Sequence, residues 1–363
     1  MSLTAKLCAF APLFLLASCG TNKVSQVEPA SAQHGGVSVV VPNAGDSRVA
    51  TLASPVVAKV CTPVTARPPS CGGIDVRCDE DNPCASPLVS GCRDCTLTRQ
   101  SDDDASLTRT FTATLTDFRL DEFEVTVGRF RKFVEAYPLS KPLPGSGANP
   151  GDPADKGWDD IWDKKLAVDR EGLSKDLSCN VQGRTWTPKP GPNEAKPIGC
   201  LTWYEAFAFC IWDGGRLPTE MQWYYTAAGG TEARPYPWGS EAPNPNLAVY
   251  DFCDKRDWPC ISSIAFAPVG SKPAGKGRWG QLDLAGSVSE WVRDVYAPQF
   301  PARDPCDNCI AFGPVQPSME MRPVTSGGEW VSRDSLLTLA YRLNSFASSR
   351  RVGQGVRCVR QPE

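Results

Sequence analysis

Two carboxylates seven positions apart, Asp283 and Glu290, are the side chains whose type best suits a hard cation. Gly286 between them lets backbone carbonyls turn inward, and calcium takes six to eight oxygens from carboxylates, carbonyls and water. On residue type alone, an Asp and a Glu at this spacing read more simply as surface charge. Asp159, Asp160 and Asp163 invite a second metal reading, but they read more simply as the solvated face of a short helix. The thiols offer soft-ligand or redox chemistry through two CxxC pairs, Cys92 with Cys95 and Cys306 with Cys309. In an oxidising compartment and with no histidine nearby, a structural disulfide is the simpler reading of each. His34, the single histidine, lies in a polar linker. Its isolation removes Ser-His-Asp and Cys-His catalysis and histidine-ligated zinc or iron from the main domain.

The elements that must position these residues centre on 197–230. Thr202 with Glu205, and Thr219 with Gln222, each form a capping box. Trp203, Ala206, Phe207, Cys210 and Ile211 recur at helical spacing, which predicts one apolar face on the first helix. Gly214–Gly215 and Gly229–Gly230 close the two helices. Upstream, Phe111 to Leu115 alternates as a strand and Phe118 to Thr126 continues it. Thr126 then caps a helix whose Val127, Phe130, Phe133 and Val134 face inward. Residues 138–196 read as an insertion rich in Pro, Gly and Asp, and Cys179 is expected to pair with Cys200 across a Pro-rich loop. Cys253 and Cys260 bracket a short acidic loop as a local disulfide.

The chain has 363 residues and a formal net charge of −3 with both signs mixed, which gives no sign of a nucleic-acid partner. Residues 1–19 read as an export signal: Lys6, an apolar run from Leu7 to Ala17, then Leu16-Ala17-Ser18-Cys19. That last tetrapeptide resembles the bacterial lipoprotein box, so Cys19 is the expected lipidation site and membrane anchor. Gly20 after it favours the outer membrane by analogy. Residues 20–60 are a flexible tether. Residues 61–110 form a Cys-rich module, with Cys61, Cys71, Cys78, Cys84, Cys92 and Cys95 among prolines and too little apolar sequence for a core. Without Cys8 and Cys19 an even number of cysteines remains, as expected of a disulfide-bonded exported chain.

The run W-Y-E-A-F-A-F-C-I-W-D-G-G-R-L-P-T-E-M-Q-W from Trp203 is similar to the central signature of the formylglycine-generating enzyme family, the sulfatase-modifying factors. Glu124-Val125-Thr126, Tyr236-Pro-Trp-Gly239, Pro268-Val-Gly-Ser271, Asp283 to Trp291, Gly327-Gly328-Glu-Trp330, Tyr341-Arg342 and Gly355-Val-Arg-Cys358 resemble further family blocks in the family's order. Val127 stands where the family usually has Asn, and Ser287 and Ser289 replace its Asn and Trp. The resemblance covers residues 111–361 and implies one α+β domain of C-type-lectin-like kind, low in regular structure and stapled by disulfides. It implies that Cys210 pairs with Cys358. It implies calcium held by Asp283 and Glu290 with the carbonyls of Gly286 and Val288. A second calcium site would begin at Asn246 and Leu247, in a loop re-routed by Cys253 and Cys260. Active members bind copper(I) through two cysteines, four and nine residues after the second Gly of the Gly-Gly motif. Those positions are Ser332 and Leu337 here, so copper is not expected at them. Trp330, Arg333 and Arg342 would line or support the former substrate groove.

The resulting expectation is an exported, lipid-anchored, non-catalytic family member that binds a peptide or surface ligand. One alternative is a copper-dependent oxidase that makes formylglycine with displaced cysteines, Cys306 and Cys309 first among them. The other is a structural envelope protein acting through its Cys-rich module.

Overall fold

Threonine hydroxyls set where the helices start. The computed structural model describes residues 68–71, 84–100, 108–179, 183–250, 266–312 and 320–362. Cys19, His34, Cys61, Cys78, Cys253, Cys260 and the acidic residues Asp251, Asp254 and Asp257 lie outside the described residues. Helix α1 (Val127–Ala136) opens on Thr126, whose hydroxyl accepts from the Arg129 N–H. Helix α2 (Arg170–Asp176) opens in the same way on Asp169. Both capping boxes form: Thr202 with Glu205 on α3 (Trp203–Trp212) and Thr219 with Gln222 on α4 (Glu220–Ala227). Such a cap satisfies N–H groups that the first turn leaves without partners.

Helix α3 is buried on more than the one face that its period predicts. Tyr204, Glu205, Ala208 and Phe209 are as inaccessible as Trp203, Ala206, Phe207 and Cys210. The reason lies in what packs around it. Phe209 stacks on Phe130 of α1 at 5.1 Å, while Trp158 and Trp162 cover Phe207 and Trp203 at 5.8 and 5.3 Å. Residues 138–196 are therefore part of the core wall. Within them Asp160–Lys165 forms a short 3-10 turn with no buried residue, as the solvated reading of Asp159, Asp160 and Asp163 expects.

Among the described residues the strands make three small sheets. β1 (Leu88–Val89) and β10 (Val359–Arg360) flank β4 (Phe118–Leu120), both antiparallel. β2 (Cys92–Gln100) pairs antiparallel with β3 (Thr108–Leu115), which takes β6 (Cys306–Asp307) in parallel on its other edge. β5 (Ser289–Val295) lies between β7 (Pro323–Ser326) and β9 (Gln354–Gly355), with β8 (Arg342–Asn344) outside β7. Strands β1 and β2 cross the expected boundary at residue 110. Residues 68–71 do so too: the Ser70 N–H donates to Asp213 at 2.9 Å and its hydroxyl accepts from Arg129 at 3.0 Å. The described part of the Cys-rich segment is thus built into the main domain's sheets and ion network, which explains how it orders without a core of its own.

Disulfides close the framework. Cys210 of α3 is bonded to Cys358 beside β10, and Cys179 to Cys200. Cys71 pairs with Cys84, Cys92 with Cys95, and Cys306 with Cys309. Beneath α4, Asp294 of β5 accepts from the N–H groups of Glu220 and Ala311, each at 2.7 Å. Burial, then the Glu220 charge, pushes its carboxyl up to about 7. Glu220 pairs with Arg342, which also donates to the Ala297 carbonyl at 3.0 Å.

Two outcomes follow from this framework. Cys210→Ala with Cys358→Ala opens a link of 148 residues in sequence separation; the chain-entropy model gives a loss of about 5 kcal/mol. Denaturant unfolding checks it, and a loss under about 2 kcal/mol, the low end of the usual range, would show that packing alone holds α3 to β10. For Asp294 the folded pKa is raised, so its contribution to stability is present below about pH 4 and is lost as pH rises through about 7. Asp294→Asn should make the fall of stability across that window shallower, read from urea midpoints at several pH values. An unchanged slope would reassign it to Glu124 and Asp283.

Candidate functional site

The turn after β7 is where the family's chemistry would sit. Gly327 and Gly328 both take left-handed backbone, at φ 98° and 72°, which only glycine adopts without cost. A Cβ on Gly328 would lie 3.0 Å from Leu337 Cδ2 and 3.3 Å from Ser332 Oγ. The two positions expected to carry thiolates are therefore brought side by side over Gly328. Their side chains are committed to structure. The Ser332 hydroxyl accepts from the Glu329 N–H at 2.9 Å, and the Ser332 N–H returns to the Glu329 carbonyl at 2.7 Å. Leu337 is fully buried among Ala248, Tyr250 and Ala285, with Tyr236 and Trp238 packed on them. Neither side chain can replace a thiolate, because copper(I) needs a soft ligand.

Around that turn, Trp330 is buried against Phe266 at 5.1 Å. Burial raises the Glu329 carboxyl, which Arg351 partly offsets from 3.0 Å. Arg333 is exposed at the start of a 3-10 turn, Asp334–Leu336. Burial and the nearby Asp334 charge raise the phenols of Tyr236 and Tyr250. Arg342, expected in the same groove, lies instead under α4 against Glu220, Tyr296 and Phe300. Its backbone pairs with Ser326, just before the Gly-Gly turn, so its side chain leaves the turn while its strand flanks it.

The expected calcium residues come together around an arginine. Glu290 accepts from Arg357 with both oxygens, each at 2.7 Å, and from the Trp223 indole at 2.8 Å. Asp283 accepts from the Gly270 N–H at 2.6 Å. Glu124, which the sequence reading placed only in a motif, accepts from the Ser287 hydroxyl and the Val288 N–H at 2.8 and 2.9 Å. Burial, then the charges of Asp283 and Glu290, holds the Glu124 carboxyl well above its usual range. Burial lifts Asp283 to about 6. Among the described residues no group of three or more His, Cys, Asp or Glu side chains is placed to hold a metal ion. Of the expected calcium donors, Glu290 is engaged by Arg357. Asn246 is exposed, and its N–H donates to Asn244 at 2.9 Å.

The displaced-thiol alternative meets a direct obstacle. Cys306 and Cys309 are bonded to each other, and every described cysteine is in a disulfide. Arg357 was missed in the sequence because its role shows only in three dimensions. The available signal was a charged residue set between Val356 and Cys358 in a short apolar stretch, where a buried cation needs an acid.

With this geometry in view, the comparisons agree. Residues 93–362 match the family described as "Sulfatase-modifying factor enzyme 1-like domain". A formylglycine-generating enzyme of Streptomyces coelicolor is 29% identical over 272 residues, covering 68% of this chain and 79% of that protein. An inactive C-alpha-formylglycine-generating enzyme 2 of Mus musculus is 28% identical over 200 residues, covering 51% of this chain and 60% of that protein. The structure of PvdO from Pseudomonas aeruginosa superposes with a TM-score of 0.51 at 19% identity, covering 78% of this chain and 97% of that one. The family match at residues 93–362 spans the caps, the Gly-Gly turn and the Cys210–Cys358 link. This chain belongs to the sulfatase-modifying factor family and has its α+β, disulfide-rich fold.

Proposed function

We propose that this protein is an exported, lipid-anchored member of the family that binds a peptide or surface ligand and does not oxidise it. One observation carries the reading: Ser332 and Leu337 stand side by side over Gly328, one holding the turn's backbone and the other filling an apolar cluster. Copper(I) chemistry at this place needs two thiolates. The bonded state of Cys306 and Cys309 supports the same reading, since it leaves that pair with no thiolate to offer. A relative named as inactive matches this chain about as well as those named as enzymes, which fits a family that keeps its scaffold when chemistry is lost. Cys19 within Leu-Ala-Ser-Cys is the anchor in this reading. Dual or triple acylation holds a chain on a membrane far more firmly than a single acyl group.

Thiol labelling of the denatured, unreduced mature protein, with copper(I) titrated into the native form, tests the loss of chemistry. The expected outcome is no pair of reactive thiols and no tight copper(I) binding. Two reactive thiols with tight binding would overturn it. Ser332→Cys with Leu337→Cys should create a thiol pair at one place and gain copper(I) binding, because both side chains abut the same Gly328. Membrane fractionation tests the anchor: Cys19→Ser should move the protein out of the membrane fraction, and retention there would remove lipidation from the reading.

A further inference from the structure

A second place in the fold holds a charged group with too few partners. Arg293 of β5 is 6% exposed, and its guanidinium lies among aromatic rings. Phe207 is 5.0 Å away, Trp203 5.5 Å, and Trp162 and Phe312 5.7 Å each. A guanidinium carries five N–H donors. Among the described residues, Arg293 uses its side chain for one hydrogen bond, from Nη2 to Asp155 at 2.7 Å, and its Nε has no partner. Buried polar groups are satisfied in nearly all folded proteins, so an arginine this enclosed and this under-bonded points to an absent acceptor.

Arg293 also lines a cleft of about 430 Å³, whose walls include Trp158, Trp162 and Phe312. That size is within the range of small-ligand pockets, about 300–1,000 Å³. Trp158 is held by its indole N–H to Asp163 at 2.8 Å, and Trp162 packs edge-on to it at 5.5 Å, so both walls are fixed. Phe312 is 42% exposed and is one of the residues that line the cleft. Lys156, Asp159 and Asp160 also line the cleft. The two acids disfavour a multiply charged anion, while a single planar carboxylate suits the guanidinium fork.

We infer that this cleft binds a monocarboxylate carried on a flat apolar group, with Arg293 as the carboxylate partner and Trp158, Trp162 and Phe312 as the apolar walls. The chemistry is shared by two sources, a free aromatic acid and the C-terminus of a peptide that ends in an aromatic residue. The site uses none of the residues around Gly328. A positive copper(I) result would therefore leave it standing, and its own failure would leave the loss of thiolates standing.

Calorimetric titration of the full mature protein tests it, with indole-3-propionate, its primary amide, the tripeptide Gly-Gly-Trp and that tripeptide's C-terminal amide. At least one acid should bind about tenfold or more tighter than its own amide, the ratio a charge-assisted pair gives. Binding of indole-3-propionate alone assigns the site to free acids; tighter binding of Gly-Gly-Trp assigns it to a peptide terminus. Acids and amides binding equally, or no binding of any probe, would overturn the inference and leave Arg293 to water. Arg293→Gln should abolish the acid preference. Because that side chain is buried, Phe312→Ala at the exposed wall is the second variant. It should weaken the acid about fivefold or more, since losing a buried aromatic face removes over 1 kcal/mol, with no change in the unfolding midpoint. Unchanged affinity in Phe312→Ala would also count against the site.

Discussion

The Arg357 guanidinium is the group on which the rest of the domain depends. It is fully buried, and all five of its N–H donors find acceptors. Nε and Nη2 hold the two oxygens of Glu290. Nη1 reaches the carbonyls of Asp121 and Glu122, and Nη2 also reaches that of Leu282. A charge out of water is tolerable only when it is fully paired and bonded in this way. The consequence is geometric. One side chain ties the start of β5, the end of the first strands and the loop before Asp283, and the next residue along the chain is Cys358, bonded to α3. Removing either charge from such a pair costs about 3–5 kcal/mol, because the other is left buried without a partner.

This constraint also accounts for the two family sites. Glu290 serves as the acid of a buried ion pair, so Arg357 takes up part of its hydrogen-bonding capacity. At the Gly-Gly turn the backbone keeps a shape that sets residues 332 and 337 over one glycine, yet the hydroxyl of Ser332 is drawn into holding that shape. Leu337 extends the apolar cluster of Tyr250 and Ala285 into the space beside it. A scaffold stabilised by capping boxes, disulfides and Arg357 takes one turn hydrogen bond and one apolar side chain from these two positions, and needs no thiolate there. A fold whose frame is held elsewhere hosts a site without depending on that site's chemistry.

What could be read from the sequence was what depends on neighbours in the chain. Thr126, Thr202 and Thr219 act on N–H groups three residues away, so their spacing alone predicts the helix starts. The Cys210–Cys358 link is long range, yet it came with the family resemblance. Contacts between distant segments were hidden. The apolar period of α3 predicts one buried face; nothing in 203–212 says that Trp158 and Trp162 will cover another. The Cys-rich segment has too little apolar sequence for a core, and that reading holds for it alone. It missed that β2 pairs with β3 across residue 110 and that Ser70 joins the Arg129 and Asp213 ion network. Arg342 was expected to line or support a groove; nothing in its neighbours along the chain says that its side chain will pair with Glu220, 122 residues earlier.

The same reasoning separates two buried arginines that sequence alone makes alike. Arg357 and Arg293 both follow apolar residues in strand-like segments, and both are almost inaccessible. One has each donor met by protein; the other has one bond to Asp155 and aromatic faces elsewhere. Aromatic rings stabilise a cation by about 0.5–2 kcal/mol and supply no hydrogen-bond acceptor in the guanidinium plane. A structural arginine gains from further acceptors, and Asp155 already shows that the fold can place one beside it. Arg293 is among the residues that line a cleft whose walls include indole and phenyl. Such an arrangement costs stability in the empty protein and returns it only when an acceptor arrives with an apolar body. In a chain whose thiolate positions hold Ser332 and Leu337, the cleft beside Arg293 is a place where the fold keeps a buried donor unmet.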